Sequence, residues 1–176
     1  MFGKFFGRGG KNEGPGLFYR PYKNGTANQI YNLLFCNNLV LFKGGKEGGG
    51  ALRAVLLDST DREAPERIGN DTNEQSRVRA LAFNRLRAMQ VPVPPRQLLG
   101  TIIEFPQADG LDTLAIFPDE RLCYINQSEG MSVFEDTPPS MIDGVEKVVQ
   151  DSQLAIDHHG PSEEPRRPPP TGELVA

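Results

Sequence analysis

The chain has 176 residues, of which 38% are hydrophobic and 24% are charged, and its formal net charge at pH 7 is −4. This length fits one domain, and the acidic balance argues against recruitment of the whole chain to nucleic acid or to acidic lipid. No run of about 18 apolar residues occurs, so the sequence predicts no membrane-spanning helix.

Composition divides the chain into three parts. Residues 1–25 are rich in Gly, Asn and Lys and are predicted to be a disordered tail, although the aromatic and basic residues of MFGKFFGR offer an alternative contact with a membrane surface. Residues 26–157 are predicted to form a single α+β domain. Residues 158–176 are predicted to be a Pro-rich, extended tail.

The first helix is predicted over Gln29–Asn37, with Thr26 or Asn28 as its N-cap, because short polar side chains accept hydrogen bonds from the first turn. Leu39–Phe42 is predicted to be a short extended piece. Residues 44–50, GGKEGGG, are predicted to be a loop.

The segment from residue 51 to residue 70 gives weaker signals. Ala51–Asp58 is either a helix of two turns or a buried strand, since periodicity does not separate these at that length. Residues 59–70 are polar and contain Pro65, so they are predicted to be a loop.

The clearest helix is predicted over Asn73–Met89. Thr72 and Gln75 have the spacing of a capping box, and apolar residues recur every three or four positions. The VPVPP segment at 91–95 is predicted to end this helix, because proline lacks a backbone donor and restricts the residue before it.

Four short apolar runs follow, and three turn signals separate them. The predicted strands are Leu98–Phe105, Asp112–Phe117, Arg121–Gln127 and Met131–Glu135. Turns this short demand antiparallel neighbours, because a parallel crossover needs a dozen or more residues. Neither face of the predicted sheet is wholly polar, so helices or another partner are expected on both.

A last helix is predicted to begin at Thr137 and Pro138, because proline suits the first helical turn. The sequence therefore predicts an α+β fold in which a four-stranded antiparallel meander packs against two or three helices.

Several segments resemble a family of uncharacterised bacterial proteins. They are IYNLLFCNNLVLF at 30–42, SRVRALAFNRLRAM at 76–89, LLGTIIEF at 98–105, DGLDTLAIFPDERLCYINQSEG at 109–130 and GPSEEPRRPPP at 160–170. The resemblance implies no activity. It implies a further segment after the Pro-rich stretch, and the final GELVA, where an apolar run begins, indicates a chain truncated at its C-terminus.

No combination of residues predicts catalysis. Cys36 and Cys123 lie in apolar segments and are interpreted as reduced core residues of a cytoplasmic protein, with no base placed beside them. His158 and His159 follow Asp157 at a helix end, where histidine complements the helix dipole. No metal site, cofactor or catalytic residue is predicted, and the sequence favours a non-catalytic protein.

Four residues form a weak candidate ligand site. Arg85 falls inside the apolar stripe of its helix, where it either snorkels outward or pairs with a sheet carboxylate such as Glu104 or Asp112. Tyr124, Asn126 and Ser128 gather polar groups near a strand end. Asn126 and Ser128 are expected to bond their own backbone.

The Pro-rich tail offers a candidate partner-binding segment at Arg166, Arg167, Pro168, Pro169 and Pro170, because aromatic-lined grooves bind extended proline-rich chain. The sequence thus favours a protein-interaction domain with an unknown protein partner, no nucleic acid partner and an undetermined oligomeric state. A small-ligand sensor, or an enzyme subunit completed by missing C-terminal residues, remains the alternative.

Overall fold

The computed structural model describes residues 18–42, 52, 55, 61–159 and 169. Within these residues the chain forms four helices, two short 3-10 helices and one sheet, which is the predicted α+β class. The helices are α1 Gly25–Leu34, α2 Glu63–Asn70, α3 Ser76–Ala88 and α4 Ile142–His159, and the 3-10 helices are Leu39–Phe42 and Pro139–Met141. The strands are β1 Thr101–Gln107, β2 Gly110–Ile116, β3 Leu122–Ile125 and β4 Met131–Phe134.

The sheet is the predicted antiparallel meander, with strand order β1-β2-β3-β4. The first hairpin is tighter than expected, because Gln107 lies opposite Gly110 and only two residues connect the strands. Pro106 was expected in this turn but lies within β1, opposite Leu111. An edge strand tolerates proline where its missing N–H would have faced outward.

Helix α1 covers one face of the sheet. Its buried residues pack against side chains of β2 and β3 in the larger of two hydrophobic cores in the described chain. This core contains Tyr22, Ala27, Tyr31, Leu34, Leu111, Ala115, Phe117, Cys123 and Ile125. The amphipathic pattern of the helix thus matches the apolar face that the strand alternation predicts.

A buried polar layer lies inside this core. Glu104 and Thr113 are opposite each other on β1 and β2, and both are buried although they are polar. The hydroxyl of Tyr31 donates to Glu104 Oε1, and the hydroxyl of Tyr22 shares a hydrogen bond of 2.8 Å with Thr113 Oγ1. Each group therefore keeps a partner away from water, and α1 is fixed in register on the sheet.

The residues before α1 are bound by two asparagines of the helix. The side chain of Asn28 bonds the backbone N and O of Tyr22, and that of Asn32 bonds the backbone N and O of Tyr19. The cap of α1 is therefore not Asn28 or Thr26, as predicted, but Asn24, whose side chain accepts from Thr26 N at 2.7 Å. The helix ends at Leu34, three residues before the predicted end.

Glu129 fastens this segment to the sheet. It lies in the turn between β3 and β4, and its Oε1 accepts from Lys23 N at 2.6 Å and from Asn24 N at 3.0 Å. Glu129 has a positive φ of 67°, which a non-glycine residue adopts only at a cost. The start of α1 is thus held at the β3–β4 end of the sheet.

Two of the element predictions between Leu39 and Asn70 were wrong. Leu39–Phe42 is a 3-10 helix rather than an extended piece, and Asn38 Oδ1 accepts from Val40 N to begin it. Glu63–Asn70 is a helix rather than a loop. Pro65 is its third residue, and the N–H groups of a first turn have no intrahelical acceptor, so the ring removes no helical hydrogen bond.

The ambiguous segment 51–58 lies mostly outside the described residues. Its two described members, Leu52 and Val55, have helical backbone. Val55 is buried in the second core, which lies between α2 and α3. The buried members of this core are Cys36, Val55, Ile68, Val78, Leu81 and Ala82.

The predicted helix at Asn73–Met89 exists as α3 but is shorter at its start. Gln75 is the N-cap and makes no side-chain capping bond, so the predicted capping box does not form. Instead Asp119, in the turn between β2 and β3, accepts from Ser76 N at 2.8 Å. At the other end Val91 N donates to Leu86 O, and the chain reverses at Gln90, whose φ is 60°.

Asp119 is therefore expected to stabilise α3 from another part of the chain. Replacing Asp119 by Ala should lower the free energy of unfolding by about 1 kcal/mol, because Ser76 N loses its acceptor. Asp119→Asn keeps an oxygen acceptor and should lose less. Urea denaturation of the two variants measures the difference, and equal losses would contradict a capping role.

Helix α4 packs loosely on the sheet. None of its residues is buried, and it contacts β1 through a hydrogen bond of 2.8 Å between Ser152 and Thr101. Thr137 does not cap it, because its hydroxyl donates to Glu120 O instead. No helix in the described residues has the length and hydropathy needed to cross a membrane.

Candidate interaction surface

The two histidines are exposed in the last turn of α4. Adjacent helical side chains diverge by about 100°, so His158 and His159 do not face a common ligand from this helix. In the part of the chain that the structure describes, no three His, Cys, Asp or Glu side chains are grouped so that they could hold a metal ion.

Both cysteines are buried free thiols. Burial raises the pKa of Cys36 and of Cys123, and the Arg77 guanidinium lowers both only in part. A raised thiol pKa favours the protonated form, which is a poor nucleophile. The two cysteines therefore act as core residues, as the sequence predicted.

The predicted residues Tyr124, Asn126 and Ser128 lie at the end of β3 and in the following turn. The Tyr124 hydroxyl donates to Asp112 Oδ2 at 3.0 Å, and the pKa of Tyr124 is raised by its partial burial and by this carboxylate. Asn126 Oδ1 accepts from Gly130 N at 2.8 Å, which is the expected local backbone bond. Ser128 is exposed. Tyr124 thus bonds to the neighbouring strand β2, and Asn126 closes the turn.

Arg85 lies apart from that turn. It is half-buried on α3, whose first residues dock on the β2–β3 turn at the opposite end of β3. Two other arginines of this helix make contacts of a different kind, to a backbone carbonyl and to an aromatic ring. Arg79 is 8% exposed and its Nε donates to Gly69 O at 3.0 Å, and the guanidinium of Arg77 lies 5.6 Å from the centre of the Phe117 ring.

Four of the predicted partner-binding residues, Arg166, Arg167, Pro168 and Pro170, lie outside the described residues. Pro169 is described and is half-buried without regular secondary structure.

A groove of about 780 Å³ lies between the end of α1, α3 and residues 93–100. Its lining includes Phe35, Cys36, Phe83, Asn84, Arg87 and Ile156. None of the four predicted ligand-binding residues lines it.

The most exposed apolar part of the sheet is β4. Among the residues that the structure describes, this strand pairs only with β3, so its other side is a sheet edge. Met131 lies opposite Ile125, and Val133 lies opposite Cys123, so both side chains are on the face that α1 covers further in. Helix α1 does not cover these two side chains fully, since Met131 is 42% exposed and Val133 is 64% exposed.

The backbone of the same two residues faces outward. Asn126 N donates to Gly130 O, so these two opposite residues form a hydrogen-bonded pair. This pair fixes which residues of β4 are hydrogen-bonded to β3 and which are not. In an antiparallel pair the bonded and non-bonded positions alternate, so Ser132 bonds β3 while Met131 and Val133 direct their N–H and C=O groups away from it. We call Met131–Phe134, with these outward groups, the β4 edge.

The other edge of the sheet is protected. Pro106 removes one donor from β1, and α4 lies against this strand through Ser152 and Thr101. Proteins commonly block an edge strand with proline or with a covering helix. The two edges of the described sheet therefore differ in how they are protected.

Comparison with family models, curated proteins and solved structures gives no match for this chain. The resemblance to a bacterial family therefore stays a prediction, and the geometry carries the functional argument.

The sequence interpretation did not single out Met131 and Val133 as functional residues. Two signals were present, because the last strand of a meander lies at an edge and alternate residues share a face. What the sequence did not reveal is how far α1 extends over that face.

Proposed function

We propose that this protein is a non-catalytic, cytosolic protein-interaction domain and that the β4 edge is its docking surface. The observation that carries the proposal is the coincidence of outward backbone groups and exposed apolar side chains at Met131 and Val133. Unpaired strand edges are templates for an added strand, and proteins use them to bind extended peptides.

Binding would add a fifth strand to the meander. The partner's backbone would pair with the outward N–H and C=O groups of Met131 and Val133, and alternate partner side chains would lie beside these two residues. The backbone bonds supply affinity for any extended segment. The side chains that lie beside α1 supply selectivity.

The state of the cysteines supports the non-catalytic and cytosolic parts of this proposal. Cys36 and Cys123 are buried thiols with raised pKa values, which disfavours nucleophilic chemistry at neutral pH. Free thiols are typical of proteins kept in a reducing compartment.

The test is selection of a displayed library of short random peptides on the folded protein, followed by affinity measurement on two variants. Val133→Pro removes the outward N–H, whereas Val133→Thr keeps it on a β-branched side chain of similar size. We expect the selected peptides to lose at least about tenfold in affinity on Val133→Pro, which corresponds to about 1.4 kcal/mol. They should bind Val133→Thr nearly as well as the wild type.

Two further measurements keep the result interpretable. Thermal unfolding checks that Val133→Pro is folded. If Val133→Pro does not fold, Val133→Lys, which keeps the backbone donor, is used in its place. A chain shortened after His159 separates the β4 edge from the Pro-rich residues. Peptides that bind every Val133 variant equally, or a library that yields no binder, would overturn the proposal.

A further inference from the structure

We infer that the partner of the β4 edge is an extended protein segment whose short apolar centre is flanked by Lys or Arg. This inference rests on the proposed function and names the chemistry of the partner at the same site. It follows from the distribution of charge around β4 and from the register of a hypothetical strand added to it.

The segment of sequence that contains β4 has acidic but no basic residues. Residues 122–146 contain five carboxylates and no Lys, Arg or His. Two of these acids bracket the strand, since Glu129 lies two residues before Met131 and Glu135 directly follows Phe134. Asp136 is the next residue and is exposed.

The basic side chain that pairs with Glu135 is shared with a second carboxylate. Arg121 Nε lies 3.1 Å from Glu135 Oε2, and Arg121 Nη1 lies 3.2 Å from Asp119 Oδ2. One guanidinium therefore pairs with two carboxylates. The Glu135 side chain is 77% exposed, which leaves most of it available to a second cation. An added strand with basic residues beyond its apolar centre would place them near Glu129, Glu135 and Asp136.

The same charges disfavour one arrangement of a second copy of this chain on the β4 edge. In the two-fold antiparallel register that pairs Met131 of one copy with Val133 of the other, Glu129 lies opposite Glu135. Like charges directly opposite each other across strands are destabilising. A basic segment has the opposite sign at both ends and is therefore the better match.

The apolar centre follows from the cross-strand rows of the sheet. Ala115, Cys123 and Val133 are aligned on neighbouring strands, as are Thr113, Ile125 and Met131. In each row the next position, on the outer side of β4, is not occupied by any described residue. It lies beside the exposed side chain of Val133 in one row and of Met131 in the other. Valine or isoleucine at alternate positions of the partner would extend both rows.

The experiment uses two synthetic peptides with capped ends, which share alternating valines and differ only in having lysines or glutamates at both ends. We expect the lysine peptide to bind the full chain at least about tenfold more tightly at low salt. This preference should shrink as salt is raised, because the screening length falls from about 30 Å at 0.01 M to about 8 Å at 0.15 M.

A matched pair of variants locates the effect. Glu135→Gln with Asp136→Asn should reduce the preference for the lysine peptide at least about threefold. Glu63→Gln with Asp109→Asn changes the net charge equally at exposed positions elsewhere and should leave it unchanged.

The outcomes separate the two proposals. If both peptides bind the wild type with equal affinity and both lose affinity for Val133→Pro, the basic-partner inference is wrong and the docking surface stands. If the peptides bind Val133→Pro as tightly as the wild type, both proposals are wrong. A dimer in solution that Val133→Pro dissociates would show that a second copy occupies the edge and would also overturn this inference.

Discussion

Replacing Tyr31 by Phe should lower the free energy of unfolding by about 3 kcal/mol. The change removes one hydroxyl from a residue that is 0% exposed, and this hydroxyl donates to the carboxyl group of Glu104, which is 3% exposed. Removing a donor from a buried charged or polar partner costs its full desolvation, which is more than the bond itself contributes. Urea or thermal denaturation at neutral pH measures the loss.

A double-mutant cycle distinguishes this cause from poor packing of the Phe ring. If the lost hydrogen bond to the buried carboxyl group is the source, Tyr31→Phe combined with Glu104→Leu should be more stable than Tyr31→Phe alone, because both polar groups of this bond are then gone. If the double variant loses the sum of the two single losses, the hydroxyl and the carboxyl group are not coupled as the structure indicates.

The second large effect is a loss of stability at high pH that depends on Tyr22. The pKa of Tyr22 is raised to about 12, chiefly by burial; the bond to Thr113 opposes this rise, and the negative charges of Glu104 and Asp112 add to it. The ordinary value is about 10. Because the folded value is the higher one, the stabilisation is complete below pH 10 and is lost as the pH rises through 12.

The two pKa units correspond to about 3 kcal/mol, of which about half is lost by pH 11. Tyr22→Phe has no proton to lose at this position. It should be about 1 kcal/mol less stable than the wild type at pH 8, because Thr113 loses its partner, and this deficit should shrink or reverse by pH 11. Unfolding free energies of both proteins at the two pH values test this. A constant difference between them would contradict a buried, neutral Tyr22.

The meander was predictable because its signals are local. Each turn follows directly on a short apolar run, and alternation within the runs assigns the faces. The same holds for the apolar stripe of α3, of which Val78, Leu81 and Leu86 are buried as the spacing predicts. Strand ends differ by a few residues, as at Pro106, because edge position decides whether a proline fits.

The errors arose where distant residues decide the structure. The cap of α3 comes from Asp119, which lies 43 residues beyond Ser76, whereas the local pair Thr72 and Gln75 makes no capping box. Helix α2 was missed since Pro65 was taken as a breaker, although a first-turn position suits it.

The candidate site shows the same division. Sequence patterns pointed to Arg85 and to the polar turn after β3, both of which are conspicuous residue types. The β4 edge consists of an ordinary Met and Val, and its meaning depends on where α1 ends on the sheet. That boundary is set by long-range contacts such as those of Tyr31 and Glu129, which local patterns do not encode.

The docking of α1 also has a consequence for the order of events during folding. Its anchoring contacts join residues 73, 91 and 106 positions apart, whereas the hairpins close turns of a few residues. Long loops cost more entropy to close than hairpins, so the strands can associate first. During synthesis α1 precedes the strands on which it packs, so its apolar side stays exposed at least until Glu129 has been synthesised. Exposed apolar surface of this kind makes folding intermediates prone to aggregation and is what chaperones protect.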